Sequence, residues 1–230
     1  MPDIVEPNVH LVAQTMVTAN VAHHMSSPPG ATHAEILTEF AGRACYQSFH
    51  RPNPATSTTD TYLERTLFEQ GHWSIAEHAS ATFYITGVSR AFTHELIRHR
   101  HLSYSQLSQR FVDESTSNIV VPPAFKGEEN EEITLLYGSN DARNYYETLV
   151  GKGICAGLTR KQAREAARAV LPNMTETRIV VTGNLRAWHE VIERRTAPDA
   201  DAEMQQVMGM VRDELHAVAP TIFPETEANQ

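Results

Sequence analysis

The ten residues Ala79 to Val88, ASATFYITGV, alternate in polarity. Ser80, Thr82, Tyr84 and Thr86 point one way, and Ala81, Phe83, Ile85 and Val88 the other. That is the period of a half-buried strand. Residues 8–14 and 177–182 (TRIVVT) read as further strands. The intervening chain is mostly helical in pattern. Because strands and helices do not alternate regularly, the fold class is α+β. No linker or repeat divides the chain, which predicts one domain over residues 1–230.

Several helices carry their own start signals. Thr32 and Glu35 form a capping box before Ile36, Leu37, Phe40, Ala41 and Ala44, predicting a helix that ends near Tyr46. On it, Cys45 is expected to be a small buried hydrophobe. Thr61 and Glu64 open a second helix, ended by Gly71. Residues 90–99 suit a short helix. A longer one is predicted over 132–150, broken by Gly151-Lys152-Gly153, with Cys155 in the glycine-rich loop beyond. Thr159 and Gln162 cap a helix that stops before Pro172. Asn184 caps one running to Arg195. Residues 201–218 place Met204, Val207, Met208, Val211, Leu215 and Val218 on one face. The segments 22–31, with Pro28-Pro29-Gly30, and 50–60 read as loops, and 124–131 as an exposed excursion.

Composition narrows the function. There are 28 acidic against 19 basic residues, a net charge of −9, so nucleic acid is not an expected partner of the surface as a whole. The apolar runs are too short to span a bilayer, and the acidic N-terminus lacks a signal-peptide core. Two cysteines are too few for a disulfide framework or a four-cysteine zinc site. The expectation is a cytoplasmic protein with reduced thiols.

Against this acidic background, residues 90–110 are dense in Arg, His and Ser, with no acidic residue between Arg98 and Arg110. Arginine forks suit phosphate, and serines with Gln106 can read a base or sugar. The segment is equally compatible with a solvated charged face. His94-Glu95-Leu96-Ile97-Arg98-His99 misses the zinc pattern H-E-x-x-H by one residue, so no metal is expected. No G-x-S-x-G elbow and no G-x-G-x-x-G after a strand is present.

Arg98-His99-Arg100 followed by seven residues and Ser108 resembles the signature of the flavin-dependent thymidylate synthases, the ThyX family. HELIRHRHLSYSQLSQR (94–110) is similar to actinobacterial members. Family-like blocks also occur at Gly42 to Tyr46, Gly71 to Ser74 with Glu77-His78, Gln162 to Pro172, Thr175 to Arg186, and Arg195. The resemblance spans residues 8–223 in order.

It implies a mainly antiparallel sheet flanked by helices, and reductive methylation of dUMP to dTMP. FAD is the implied cofactor, with NADPH and methylenetetrahydrofolate as cosubstrates, in a homotetramer with shared sites. The implied dUMP contacts are Glu95, Leu96, Ile97, Arg98, Gln106, Leu107, Ser108, Gln109, Arg110, Arg168 and Arg195. The implied FAD contacts are Ser74, Arg98, His99, Arg100, His101, Gln106 and Glu190 and, from a neighbouring subunit, Asn184, Leu185 and Arg186. Arg195 is implied at the uracil ring as the catalytic cation. Phe111, Glu190 and Asp199 stand where the family commonly has Tyr, His or Asn, and a His-Ala stretch. A nucleotide- or RNA-binding module using the 90–110 pocket, without catalysis, is the competing reading.

Overall fold

In a computed structural model, which describes residues 1–25 and 30–225, the 79–88 alternation is one strand of a four-stranded sheet. The strands are β1 (Asn8–Gln14), β2 (Ser80–Ser89), β3 (Leu102–Gln106) and β4 (Glu176–Asn184), in the order β1-β2-β4-β3. All three pairings are antiparallel. Ala81, Phe83, Ile85 and Val88 are buried, while Thr82 and Tyr84 on the opposite face are half-buried. The three-residue step from Ile85 to Val88 is a bulge, where the register with β4 shifts. Gly87 allows it: its φ is +65°, and a Cβ there would lie 1.9 Å from the Glu6 carbonyl oxygen.

Seven helices accompany the sheet among the described residues: α1 (His33–Tyr46), α2 (Thr59–Leu63), α3 (Arg90–Leu96), α4 (Glu129–Cys155), α5 (Arg160–Ala167), α6 (Leu185–Arg195) and α7 (Ala202–Val218). Both capping boxes form, with Glu35 N–H donating to Thr32 Oγ1 at 3.2 Å and Gln162 N–H to Thr159 Oγ1 at 3.3 Å. The apolar side of the sheet packs on α6 and α7 in one core, where Trp188 Nε1 donates to the Ala81 carbonyl at 3.1 Å. All six apolar residues predicted for α7 are fully buried.

Four expectations need correction. β3 lies where only polar character was read, because its edge position leaves Ser103 and Ser105 exposed. The second helix starts at Thr59 rather than Thr61 and continues as a π-helix over Glu64–Glu69, while the Thr61 hydroxyl donates to the Thr58 carbonyl. Gly151-Lys152-Gly153 does not break α4. Gly153 instead lets α5 approach, since a Cβ there would sit 3.1 Å from Ala163 Cβ. Cys155 therefore ends α4 and is exposed, and Cys45 is exposed too. Pro28 and Pro29 lie outside the described residues.

Cys45 is exposed because α1 buries a polar stripe: Glu35, Thr38, Glu39, Gly42 and Arg43. Arg43 Nε donates to Glu39 Oε1 at 2.5 Å, its Nη2 to the Thr56 carbonyl at 2.6 Å, and its guanidinium stacks on Tyr62. Thr59 Oγ1 donates to Glu39 Oε2 at 2.6 Å. The 48–59 segment thus fastens to α1 through charges that are 0–1% exposed. Removing one partner strands the other, which costs about 3–5 kcal/mol. Arg43→Ala should lower unfolding stability by that amount in urea titration, and Cys45→Ala should change it by less than about 0.5 kcal/mol.

Candidate functional site

The 89–110 segment is built by caps and clamps. Ser89, the last residue of β2, caps α3 by accepting the Phe92 N–H at 3.0 Å. Its own N–H and hydroxyl donate to the buried Glu203 carboxylate, at 2.7 and 2.6 Å. Burial raises the Glu203 pKa. After α3 the chain turns sharply, with His101 at φ +66°. Tyr104 Oη holds the turn by donating to the Leu96 and His99 carbonyls, at 2.8 and 3.0 Å. Burial pushes its pKa up to about 12, so it remains a donor. Gln106 Nε2 then donates to Thr93 Oγ1 at 2.7 Å, tying β3 back to α3.

This construction leaves three neighbouring cavities. One of about 440 Å³ is lined by Arg90, Thr93, His94, Glu95, Ile97, Gln106, Asn173 and Asp201. One of about 260 Å³ is lined by Glu77, His101, Asn184, Arg186, Ala187 and Glu190. The third, about 280 Å³, joins the second along His101, Ala187 and Glu190, and adds Arg98, His99, Arg100, Val191 and Arg194. Asn184 caps α6 by accepting the Ala187 N–H at 2.8 Å, so α6 runs past the second and third cavities and ends at Arg195.

Arg195 links the walls. Its Nε donates to His99 Nε2 at 2.7 Å, and its Nη1 lies 3.0 Å from Glu95 Oε2. The side chain is 18% exposed. Arg186 is held by Glu77 and Glu190 at 2.7 and 2.9 Å, and these two carboxylates, Glu190 most strongly, raise its pKa. Ser74 is exposed on the turn Trp73–Glu77, beside Trp73, whose ring sits 3.9 Å from that of His189.

The implied site residues thus separate into groups. Glu95, Ile97 and Gln106 meet in the first cavity; Arg98, His99, Arg100, His101, Asn184, Arg186 and Glu190 line the joined pair. The side chains of Leu96 and Leu185 are fully buried in the core. Ser74, Leu107, Ser108, Gln109, Arg110, Arg168 and Arg195 line none of the three cavities, although Arg195 touches Glu95 of the first and His99 of the third. Arg110 instead faces Glu165 at 3.8 Å. Asn184, Arg186 and Glu190 share their cavity with His101 of the same chain. The first cavity is of mixed charge, since Glu95 and Asp201 face Arg90 across it.

Arg90 and His94 belong to the dense 90–110 segment and line the first cavity, although neither is among the implied contacts; Arg90 is the cation of the two. Burial lowers its pKa, with Arg168 reinforcing and Glu114 opposing that shift. Its signal was available in its position directly after the Ser89 cap, where a long side chain leaves the first turn of α3.

A family model described as thymidylate synthase complementing protein (Thy1) matches residues 30–221. The chain is 51% identical over 231 residues to a flavin-dependent thymidylate synthase of Mycobacteroides abscessus, covering 97% of this chain and 91% of that one. It is 52% identical over 198 residues to one of Mycobacterium tuberculosis, covering 83% and 79%. A crystal structure of ThyX from Helicobacter pylori with FAD and dUMP superposes with a TM-score of 0.67 at 18% identity, covering 96% of this chain and all of that one. At that identity it bears on the fold alone.

Behind Arg90 lies Glu114, 2% exposed, with Oε1 lacking any hydrogen-bond partner among the described residues. Burial pushes its pKa up to about 7, against the opposing charge of Arg90. A folded-state pKa above the unfolded one makes the proton stabilising. The benefit is complete below the ordinary glutamate pKa and disappears as pH rises through 7. Glu114→Gln should therefore stabilise the protein at pH 8 by about 1–3 kcal/mol and much less at pH 5. Urea midpoints of both proteins at the two pH values check this.

Proposed function

The chain belongs to the flavin-dependent thymidylate synthases, and from that premise we propose that it converts dUMP to dTMP by reductive methylation. FAD is its cofactor, NADPH the reductant and methylenetetrahydrofolate the carbon donor. The observation that supports the reading best is the junction of Arg195 with Glu95 and His99. It brings the end of α6 to the cavity that holds Arg90 and Gln106.

The nucleotide occupies the Arg90 cavity. Arg90, with Arg168 electrostatically beside it, faces the phosphate. Gln106 and Glu95 offer an amide and a carboxylate to the sugar and base. Carbon 5 of uracil is a poor nucleophile until negative charge enters the ring. Arg195 is a guanidinium whose Nη2 has no protein partner among the described residues. It can therefore stabilise charge developing on the uracil oxygens. Arg98, Arg100 and Arg194 fit the anionic part of FAD, and small Ala187 leaves room along the joined cavities. Flavin reduced by NADPH would supply the hydride, so neither exposed thiol is needed to activate the ring.

Ser108, Gln109 and Arg110 serve the site of another copy, which accounts for their distance from these cavities. That sharing, and the half-exposed sheet face bearing Thr82 and Tyr84, support a homotetramer with isologous interfaces. We assign the enzyme to the cytoplasm; no described helix is long and apolar enough to cross a membrane.

Light scattering should give about four times the 25.7 kDa chain mass. The purified protein should bind FAD, with a visible spectrum that dUMP perturbs; a colourless nucleotide binder would favour the binding-module reading. Arg195→Ala should still oxidise NADPH while dTMP formation falls about 100- to 1000-fold. Arg195→Lys should recover part of it. Arg110→Ala should weaken dUMP by about 2–5 kcal/mol in calorimetry. Loss of its exposed pair with Glu165 should cost stability less than about 1 kcal/mol.

A further inference from the structure

We propose that His99 is a positioning residue for Arg195: its Nε2 accepts the Arg195 Nε–H and, with Glu95, aims the remaining guanidinium donors at the uracil. The proposal rests on the assignment of Arg195 to that ring. A guanidinium has five N–H donors and no acceptor, so at the 2.7 Å contact the imidazole must supply the lone pair. The proton of neutral His99 is then on Nδ1. The Glu95 carboxylate adds an ion pair, its Oε2 lying 3.0 Å from Nη1. The hydrogen bond at Nε and the ion pair at Nη1 restrain the planar group along one edge, and Nη2 has no protein partner among the described residues.

Both ends of this latch are stiff. The His99 carbonyl is held by Tyr104 Oη at 3.0 Å, and Arg195 sits in the last turn of the capped α6. Arg100, His101 and Glu190 line the same cavity as His99, and the charged groups acting most on the imidazole are Arg195, Arg194, Glu95 and Arg98. Burial first, then these cations, hold the imidazole below the ordinary histidine range. Protonation would remove the acceptor and set a second cation against Arg195. The latch is therefore closed above the His99 pKa and opens below it.

Three proteins separate this role from simple contact with the cofactor: wild type, His99→Gln and His99→Leu, each saturated with FAD. Turnover to dTMP is measured from pH 5.5 to 8.5 while the flavin spectrum reports occupancy. Wild-type kcat should fall about tenfold per pH unit along an acid limb below the ordinary histidine pKa. Glutamine accepts a hydrogen bond but does not titrate, so His99→Gln should lose that limb and keep at least about a tenth of the plateau. His99→Leu should lose about 100-fold at every pH, in kcat more than in the KM for dUMP. An unchanged limb in His99→Gln, or full turnover in His99→Leu, overturns the proposal.

Nitrogen-15 histidine spectra give a readout that needs neither activity nor a substituted His99. Wild type should show His99 as the Nδ1–H tautomer, titrating at higher pH in Arg195→Met. An Nε2–H tautomer, or a titration indifferent to Arg195, overturns the latch. If wild type makes no dTMP at any pH, the functional reading fails instead, and the spectra still decide the His99 contact.

Discussion

The antiparallel pairing of β2 with β4 is the constraint on which the rest depends. Each strand ends in a residue that caps the next helix: Ser89 at the end of β2 caps α3, and Asn184 at the end of β4 caps α6. Antiparallel strands place those caps at opposite ends of the pair. The eleven residues of α6, about 16 Å long, then carry Arg195 back toward the end of α3. Glu95, His99 and Arg195 meet because the two helices start from opposite ends of one ladder. Residues almost a hundred positions apart are brought to 2.7 Å without a long flexible side-chain search.

Polar burial is spent at places that hold this arrangement still. Glu203, from the first turn of α7, takes both donors of Ser89 and so fixes the origin of α3. Glu39 and Arg43 fasten the 48–59 segment to α1. Glu114 is different, because its buried carboxyl has an unpaired oxygen and favours its proton. Buried charge is costly unless paired, so satisfied pairs define geometry, while the raised pKa values of Glu114 and Glu203 make stability depend on pH.

The electrostatics of the site are balanced rather than simply positive. In the Arg90 cavity, Glu95 and Asp201 offset the cation, and Arg186 is spoken for by Glu77 and Glu190. A free arginine array would bind any polyanion. Carboxylates that occupy part of each guanidinium leave only chosen N–H groups available, which restricts the ligand by direction as well as by charge.

The sequence by itself determined the elements with local causes. The 79–88 alternation, the two capping boxes, Asn184 as a cap and the apolar face of α7 are set by hydrogen bonds or periodicities within a few residues. The R-H-R motif and Ser108 likewise pointed to the family to which the chain belongs. The tertiary structure decided what depends on distant partners. It turned α1 to bury Glu39 and Arg43 instead of Cys45, because the 48–59 segment supplies their carbonyl and hydroxyl partners. It ran α4 through two glycines, because α5 packs against Gly153. It made a strand of the polar residues 102–106, because β4 supplies their ladder. It placed Arg90 on the first cavity, buried the side chains of Leu96 and Leu185, and brought Arg195 to His99. Each of these outcomes is a contact between segments far apart in the chain, and such contacts leave no periodicity in either segment alone.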